Sequence, residues 1–137
     1  MKISFIDSGV LIAAVRGTPD VIAEAREVLT DPECSFASSD YVRLEVLPKA
    51  SFHKREKEFA FYESFFDAVR HWAPVGEPLI EKALEVASRA GLSALDALHV
   101  AAALAVGADE LITCEKPGRP VHRIREIAIR TIYAARS

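Results

Sequence analysis

The apolar residues of this chain fall into short runs cut by turn-forming residues. The period of those runs switches between that of a buried strand and that of an amphipathic helix. Lys2 to Ile6 reads as a short buried strand, and Asp7-Ser8-Gly9 breaks it before the apolar Val10 to Val15, a strand-turn-helix opening. In the turn Gly17-Thr18-Pro19-Asp20, Thr18 stands where a helix is capped and Pro19 where it starts. Val21, Ile22, Ala25, Val28 and Leu29 mark the buried face of that helix, and Asp31-Pro32 ends it. Cys34 to Ala37 suits a second strand, and Ser38-Ser39 offers caps for a helix from Asp40 to Leu47 that Pro48 stops. From Ser51 to Arg70 an aromatic-rich helix carries Phe52, Phe59, Tyr62, Phe66 and Val69 on one stripe, widened by Phe61 and Phe65. Core packing and a dimer surface both suit so broad a stripe. A strand around Trp72 to Val75 follows, then a helix from Pro78 to Ala90 ended by Gly91, and a very apolar helix from Ala94 to Val106. Glu110 to Cys114 is a further strand, with Asp109 and Glu110 facing solvent at its start. Val121 to Ser137 fits an edge strand through Ile127, Ile129 and Tyr133, or a solvated tail.

Strands alternating with helices, without a tight hairpin signal, predict an α/β fold: a central parallel sheet with helices on both faces. In such sheets, sites form beyond the carboxyl ends of the strands. The 137 residues show no repeat, no low-complexity tract and no linker, so residues 1–137 are expected to form one domain. Hydrophobic residues at 50% and charged residues at 27% are globular proportions and argue against disorder. Cys34 and Cys114 lack metal-ligand spacing and read as two reduced thiols. The opening apolar run is too short for a signal peptide, and no stretch reaches the roughly 18 apolar residues of a membrane span. The expected location is therefore the cytoplasm, without membrane contact.

A net charge of −3 argues against a broadly basic nucleic-acid surface. The charge is uneven, however. After Glu115 come Lys116, Arg119, Arg123, Arg125, Arg130 and Arg136 against Glu126 alone, 6 − 1 = +5, which leaves room for a local phosphate-binding surface.

Several acids fall at strand ends or helix mouths. Asp7 follows the first strand, where the bland reading is a cap. Glu45 sits among apolar neighbours but four residues before Lys49, a favourable surface pairing. Asp96 lies on a helix apolar nearly all round, where an ionised carboxylate needs donors or a cation. Ser93-Ala94-Leu95-Asp96 also matches a capping box, which does not exclude metal binding. His99, one turn on, is read as a hydrogen-bonded core histidine rather than a catalytic one. Glu115 follows the last clear strand, with an exposed turn as its alternative. Taken together, and without a Cys/His set, Gly-rich phosphate loop or nucleophile elbow, an oxygen-only cluster suits Mg²⁺ or Mn²⁺.

Phe5-Ile6-Asp7-Ser8-Gly9-Val10-Leu11-Ile12, Leu44-Glu45-Val46-Leu47, Leu95-Asp96-Ala97-Leu98-His99-Val100-Ala101 and Leu111-Ile112-Thr113-Cys114-Glu115 resemble, in order and spacing, the successive motifs of PIN domains. Length and compactness resemble the VapC toxins of toxin-antitoxin pairs. That resemblance implies a three-layer α/β/α fold, Mg²⁺ or Mn²⁺ dependence, cleavage of an RNA substrate, a homodimer and neutralisation by a small antitoxin protein. Asp7, Glu45 and Asp96 match the family's three acidic positions. Ser8 matches the small polar residue supporting the first, and Thr113 a supporting donor. Glu115 stands where the family usually has Asp, which leaves the number of metals open. The roles expected are a cation held by Asp7 and Asp96, with Glu45 orienting or deprotonating its water and Glu115 helping to recruit a second cation. The alternatives are a non-catalytic PIN module that binds RNA or a protein partner, and a housekeeping RNA-processing nuclease.

Overall fold

The computed structural model describes residues 1–133. Within them the strands are β1 (Lys2–Ile6), β2 (Cys34–Ser38), β3 (His71–Trp72), β4 (Glu110–Thr113) and β5 (Ala128–Thr131). The α-helices are α1 (Ser8–Arg16), α2 (Pro19–Leu29), α3 (Asp40–Phe52), α4 (Glu56–Ala68), α5 (Glu77–Ala90) and α6 (Ala94–Ala105), with a single 3-10 turn at Pro120–Arg123. All strand pairs are parallel, in the order β3-β2-β1-β4-β5. Helices cover both faces, giving the three-layer α/β/α architecture. Phe5 of β1 meets the His99 ring on α6. Phe36 of β2, in register with Ser4 and so on the opposite face, meets Phe65 of α4.

Why β1 and β4 are central is written in their composition. Phe5, Ile6, Leu111 and Ile112 are all buried, as strands covered on both faces must be. Each such side chain contributes about 1.5–3 kcal/mol of burial free energy. The chain reverses direction across the sheet between β1 and β4, where a parallel sheet leaves a crevice beyond its strand ends. That crevice is where Asp7 emerges.

Three local expectations need correction. Pro48 does not stop its helix: α3 runs through it to Phe52. Proline removes the hydrogen bond to the Leu44 carbonyl, but Leu44 is 67% exposed, so water can replace that partner. The segment Ser51 to Arg70 is not one helix, because α3 closes at Lys54, whose φ of 56° is left-handed, and α4 begins at Glu56. Arg55 N–H closes onto the Ala50 carbonyl at 2.9 Å, a helix-ending bond that needs this reversal. Phe52 is thereby cut from the aromatic stripe and stands 80% exposed, while Tyr62, Phe65 and Phe66 are buried.

The third correction concerns Glu110, which does not face solvent. It is 5% exposed, accepts a hydrogen bond from Ser4 Oγ at 2.7 Å, and lies 3.6 Å from Lys2 Nζ and 3.8 Å from Arg130 Nη1. Asp109 is spent on the backbone, its Oδ2 accepting from Ile3 N–H at 2.8 Å. Of the ambiguous C-terminal stretch, residues 128–131 form the edge strand β5. Arg136 and the rest of the tail after Tyr133 lie outside the described residues.

Candidate functional site

Asp7 occupies the cap position of α1, yet its side chain makes no capping bond. Its N–H instead extends the β1–β4 ladder by donating to the Ile112 carbonyl at 2.9 Å, fixing the residue at the strand end. The carboxylate is 8% exposed as a residue and looks inward. Thr113 Oγ1 donates to its Oδ2 at 2.9 Å, and Ser8 Oγ lies 3.4 Å and His99 Nε2 3.8 Å from its Oδ1. The capping reading of Asp7 therefore gives way to a buried carboxylate held by side chains from β4, α1 and α6.

Glu45 comes to the same place from α3. Its Oε1 accepts from Ser8 Oγ at 3.0 Å and hydrogen-bonds His99 Nε2. A hydroxyl has one proton to give, so Ser8 serves Glu45 at 3.0 Å ahead of Asp7 at 3.4 Å. Lys49, the expected surface partner of Glu45, makes no ion pair with it among the described residues and acts only through its field.

Asp96 sits half-buried in the first turn of α6, its N–H donating to the Ser93 cap at 3.4 Å, so the expected capping box is present in its backbone half. Three residues later, on the same face, is His99. The imidazole is 2% exposed, and its Nδ1 has no partner among the described residues, so the hydrogen bonding seen for it is directed at the acids. Sequence reasoning set His99 aside. The signal that would have found it is the Asp-x-x-His spacing on a helix too apolar to leave either residue in water.

The electrostatics follow from that packing. Burial pushes the Asp7 carboxyl above its ordinary value and Glu45 adds to it, against the pull of His99 and Thr113. Asp96 is raised by burial and then by the charge of Asp7, with Ser93 and His99 opposing. Burial alone would raise Glu45, but the hydrogen bonds from His99 and Ser8 outweigh it and hold this carboxyl low. Burial works against a charged His99, and Glu45 and Asp7 more than offset it, so the imidazole is raised. No ion pair brings a Lys or Arg to Asp7, Glu45 or Asp96 among the described residues.

Glu115 is not drawn into this cluster. Its side chain lies 3.5 Å from Arg119 Nε, and its carbonyl is tied by Thr131 Oγ1 at 2.7 Å and His122 Nε2 at 3.1 Å. Thr113 Oγ1 links the two regions, donating to Asp7 and accepting the Glu115 N–H at 3.2 Å. Between them lies Cys114, its thiol pushed up to about 11 by burial and then by the charges of Asp7 and Glu115. A Cβ on Gly9 would stand 2.5 Å from Cys114 Sγ, so only glycine allows the first turn of α1 to pack there.

The PIN domain family model matches residues 4–116, a span that runs from β1 through the whole cluster. This chain belongs to the PIN domain family. The PIN fold is shared with chains in solved complexes. One is VapBC2 from Rickettsia felis bound to a promoter DNA fragment, with a TM-score of 0.68, 15% identity, and 94% of this chain and 98% of that one covered. Another is DNA-bound VapBC from Salmonella typhimurium, at 0.68, 16% identity, and 96% and 98% covered. VapBC-1 from nontypeable Haemophilus influenzae matches at 0.66, with 19% identity and 94% and 97% covered. No curated protein matches the chain.

PIN-domain nucleases typically use divalent metals, and the donors here fit a hard cation in kind. Asp7, Glu45 and Asp96 are carboxylates that act on one another's charge, with no Lys or Arg paired to any of them among the described residues. As they stand, no three His, Cys, Asp or Glu side chains among the described residues close into a metal-holding group. Asp7 is the buried member of the PIN cluster, held by Thr113, and Asp96 is the more open one, near Ser93.

Proposed function

We propose that this chain is a divalent-metal-dependent endoribonuclease that hydrolyses RNA phosphodiester bonds, and that it serves as the toxin of a VapBC-like pair. The observation that carries the reading is Asp7: a buried carboxylate at a strand end, pressed by the charge of Glu45 and supplied with hydroxyls and one imidazole but, among the described residues, no ammonium or guanidinium. The fold shared with chains of VapBC assemblies supports the toxin half.

In this reading Asp7 and Asp96 hold the cation, Mg²⁺ or Mn²⁺. When bound, such an ion supplies Lewis-acid charge to a phosphodiester and lowers the pKa of water. The residues of the chain do the rest. Thr113 and the β1–β4 ladder keep Asp7 from turning away, which preorganises the site. Glu45, kept ionised by His99 and Ser8, is the proton acceptor facing the scissile group, and His99 and Ser8 fix its carboxylate in place. Glu115 joins only if it releases Arg119, so the site works with its first three acids and Glu115 adds a second cation position. The same reading includes a homodimer, a small antitoxin partner and the cytoplasm.

The test is cleavage of labelled RNA in matched Mg²⁺ and Mn²⁺ titrations, with melting temperature read alongside. Asp96→Asn is expected to lose cleavage and most of the Mn²⁺-induced rise in melting temperature. An Asp96→Asn protein that cleaves as fast as wild type would sink the mechanism. The non-catalytic module has one observation in its favour, the pairing of Glu115 with Arg119, and it predicts RNA affinity without any Mn²⁺ binding in calorimetry.

A further inference from the structure

The basic residues expected to make a phosphate surface after Glu115 are largely used inside the fold. Arg119 pairs with Glu115, Arg123 Nη1 donates to the Ala90 carbonyl at 3.0 Å, Arg130 faces the buried Glu110, and Lys116 lies over the Tyr133 ring at 5.7 Å. Free cations are found elsewhere. Lys49, Lys54, Arg55 and Lys57 make no side-chain hydrogen bond or ion pair among the described residues, and with Glu56 they give residues 49–57 a charge of 4 − 1 = +3. Glu58, the next acid, is already 3.8 Å from Arg16.

Within this basic turn stands Phe52, 80% exposed, its ring edge-on to His53 at 5.1 Å. The same turn carries a hollow of about 300 Å³, lined by Ala50, Ser51, Lys54, Arg55, Glu56 and Phe59. The turn is continuous with the acidic site, because Glu45, Lys49 and Phe52 fall at i, i+4 and i+7 of α3 and so share one side of that helix. Lys49 is near enough to pull on the Glu45 carboxylate. An aromatic face among unpaired cations is what a single strand uses: bases stack on the ring whatever their identity, and phosphates follow the charge.

We propose that the α3–α4 turn, with Lys49, Phe52, Lys54, Arg55 and Lys57, is the track along which single-stranded RNA approaches the acids. The proposal rests on the nuclease reading for what happens at the end of the track, but its own content is binding. Lys49 takes the phosphate next to the reacting one, Phe52 stacks a base beyond it, and the Lys54–Lys57 turn holds the strand further out.

The experiment measures binding separately from cleavage. Full-length protein in an Asp96→Asn background, in Mg²⁺, is titrated by anisotropy with a fluorescein-labelled single-stranded RNA of mixed sequence and with a blunt RNA duplex, over a range of salt. Phe52→Ala is expected to weaken single-strand binding at least about 5-fold, for any sequence. Lys54→Gln/Arg55→Gln/Lys57→Gln is expected to weaken it about 10-fold or more and to reduce the slope of log affinity against log salt by about 2, at about 0.7 per phosphate contact. Arg125→Gln in the C-terminal segment is the control and should leave both unchanged. Circular dichroism confirms that each variant folds.

Single-strand binding that is undetectable in the parent, or unchanged in both track variants, overturns the proposal. So does a fall in mass by light scattering on Phe52→Ala with RNA affinity intact, since that makes Phe52 and its exposed neighbour Leu44 a protein contact. If the track variants lose RNA while the otherwise wild-type chain cuts nothing in Mg²⁺ or Mn²⁺, the track stands and the nuclease reading fails. If that chain cuts RNA and the variants bind normally, the reverse holds.

Discussion

Two buried carboxylates stand on neighbouring central strands of this sheet, Asp7 just beyond the carboxyl end of β1 and Glu110 at the amino end of β4. Both are under a tenth exposed. Glu110 has a permanent settlement, with Ser4 Oγ at 2.7 Å and two cations, Lys2 and Arg130, within 4 Å. Asp7 has hydroxyls, one imidazole and two more acids in its field. Burying a charge is expensive unless it is paired, and among the described residues cations meet the buried acid at the amino end of the strands but not the one at the carboxyl end. The comparison separates a buried carboxylate paired with cations from one that has only hydroxyls, an imidazole and other acids around it among the described residues, the contrast on which the proposed role of Asp7 rests.

Exchanging each for its amide is the most severe trial of that contrast. Asp7→Asn should lower RNA cleavage by at least about 100-fold, whereas Glu110→Gln should leave it near wild type, both measured as initial rates with saturating Mn²⁺. Equal losses from the two would dissolve the distinction. Stability without metal should move the other way. Glu110→Gln costs about 1–3 kcal/mol in urea unfolding, because a hydrogen-bonded buried anion is lost while its cations remain. Asp7→Asn should stabilise. The Asp7 carboxyl is raised in the folded chain, so its ionised form weighs against folding above that raised value. The advantage of Asn is therefore complete above that raised value, fades as pH falls through it, and is gone well below 3.8, where the carboxyl is neutral in both states. An advantage that grew on acidification would mean that Asp7 is held as firmly as Glu110.

A smaller effect sharpens how Asp7 is held. Gly9→Ala should destabilise by about 1–3 kcal/mol despite alanine's better helix propensity, since its Cβ meets Cys114 Sγ. Adding Cys114→Ala should restore most of the loss in a double-mutant cycle on melting temperature.

Much of this was legible in the chain itself. The buried strands of a parallel sheet are nearly continuous apolar runs, so β1 could be read to its end residues, and the acid after it followed. What escaped reading shares one cause. His99 is the hydrogen-bonded core histidine that the sequence suggests, but its partner, like the burial of Glu110 and the exposure of Phe52, is decided by remote groups: Glu45 on another helix for His99, Lys2 and Arg130 on neighbouring strands for Glu110. For Phe52 it is the reversal at Lys54, which local periodicity smooths over. Periodicity reports which face a residue is on. It does not report which charge will be waiting there.

The pairing of Asp7 with Thr113 joins residues 106 apart in the chain. Contacts of such separation form late, because the intervening loop must be closed before they return any free energy. A growing chain that has made β1, α1 and α3 already owns Asp7 and Glu45 but has neither the helix that brings Asp96 and His99 nor the strand that brings Thr113. Its acids stay dispersed until β4 docks beside β1. The chain must therefore be made through β4 before Asp7, Glu45, Asp96, His99 and Thr113 can come together.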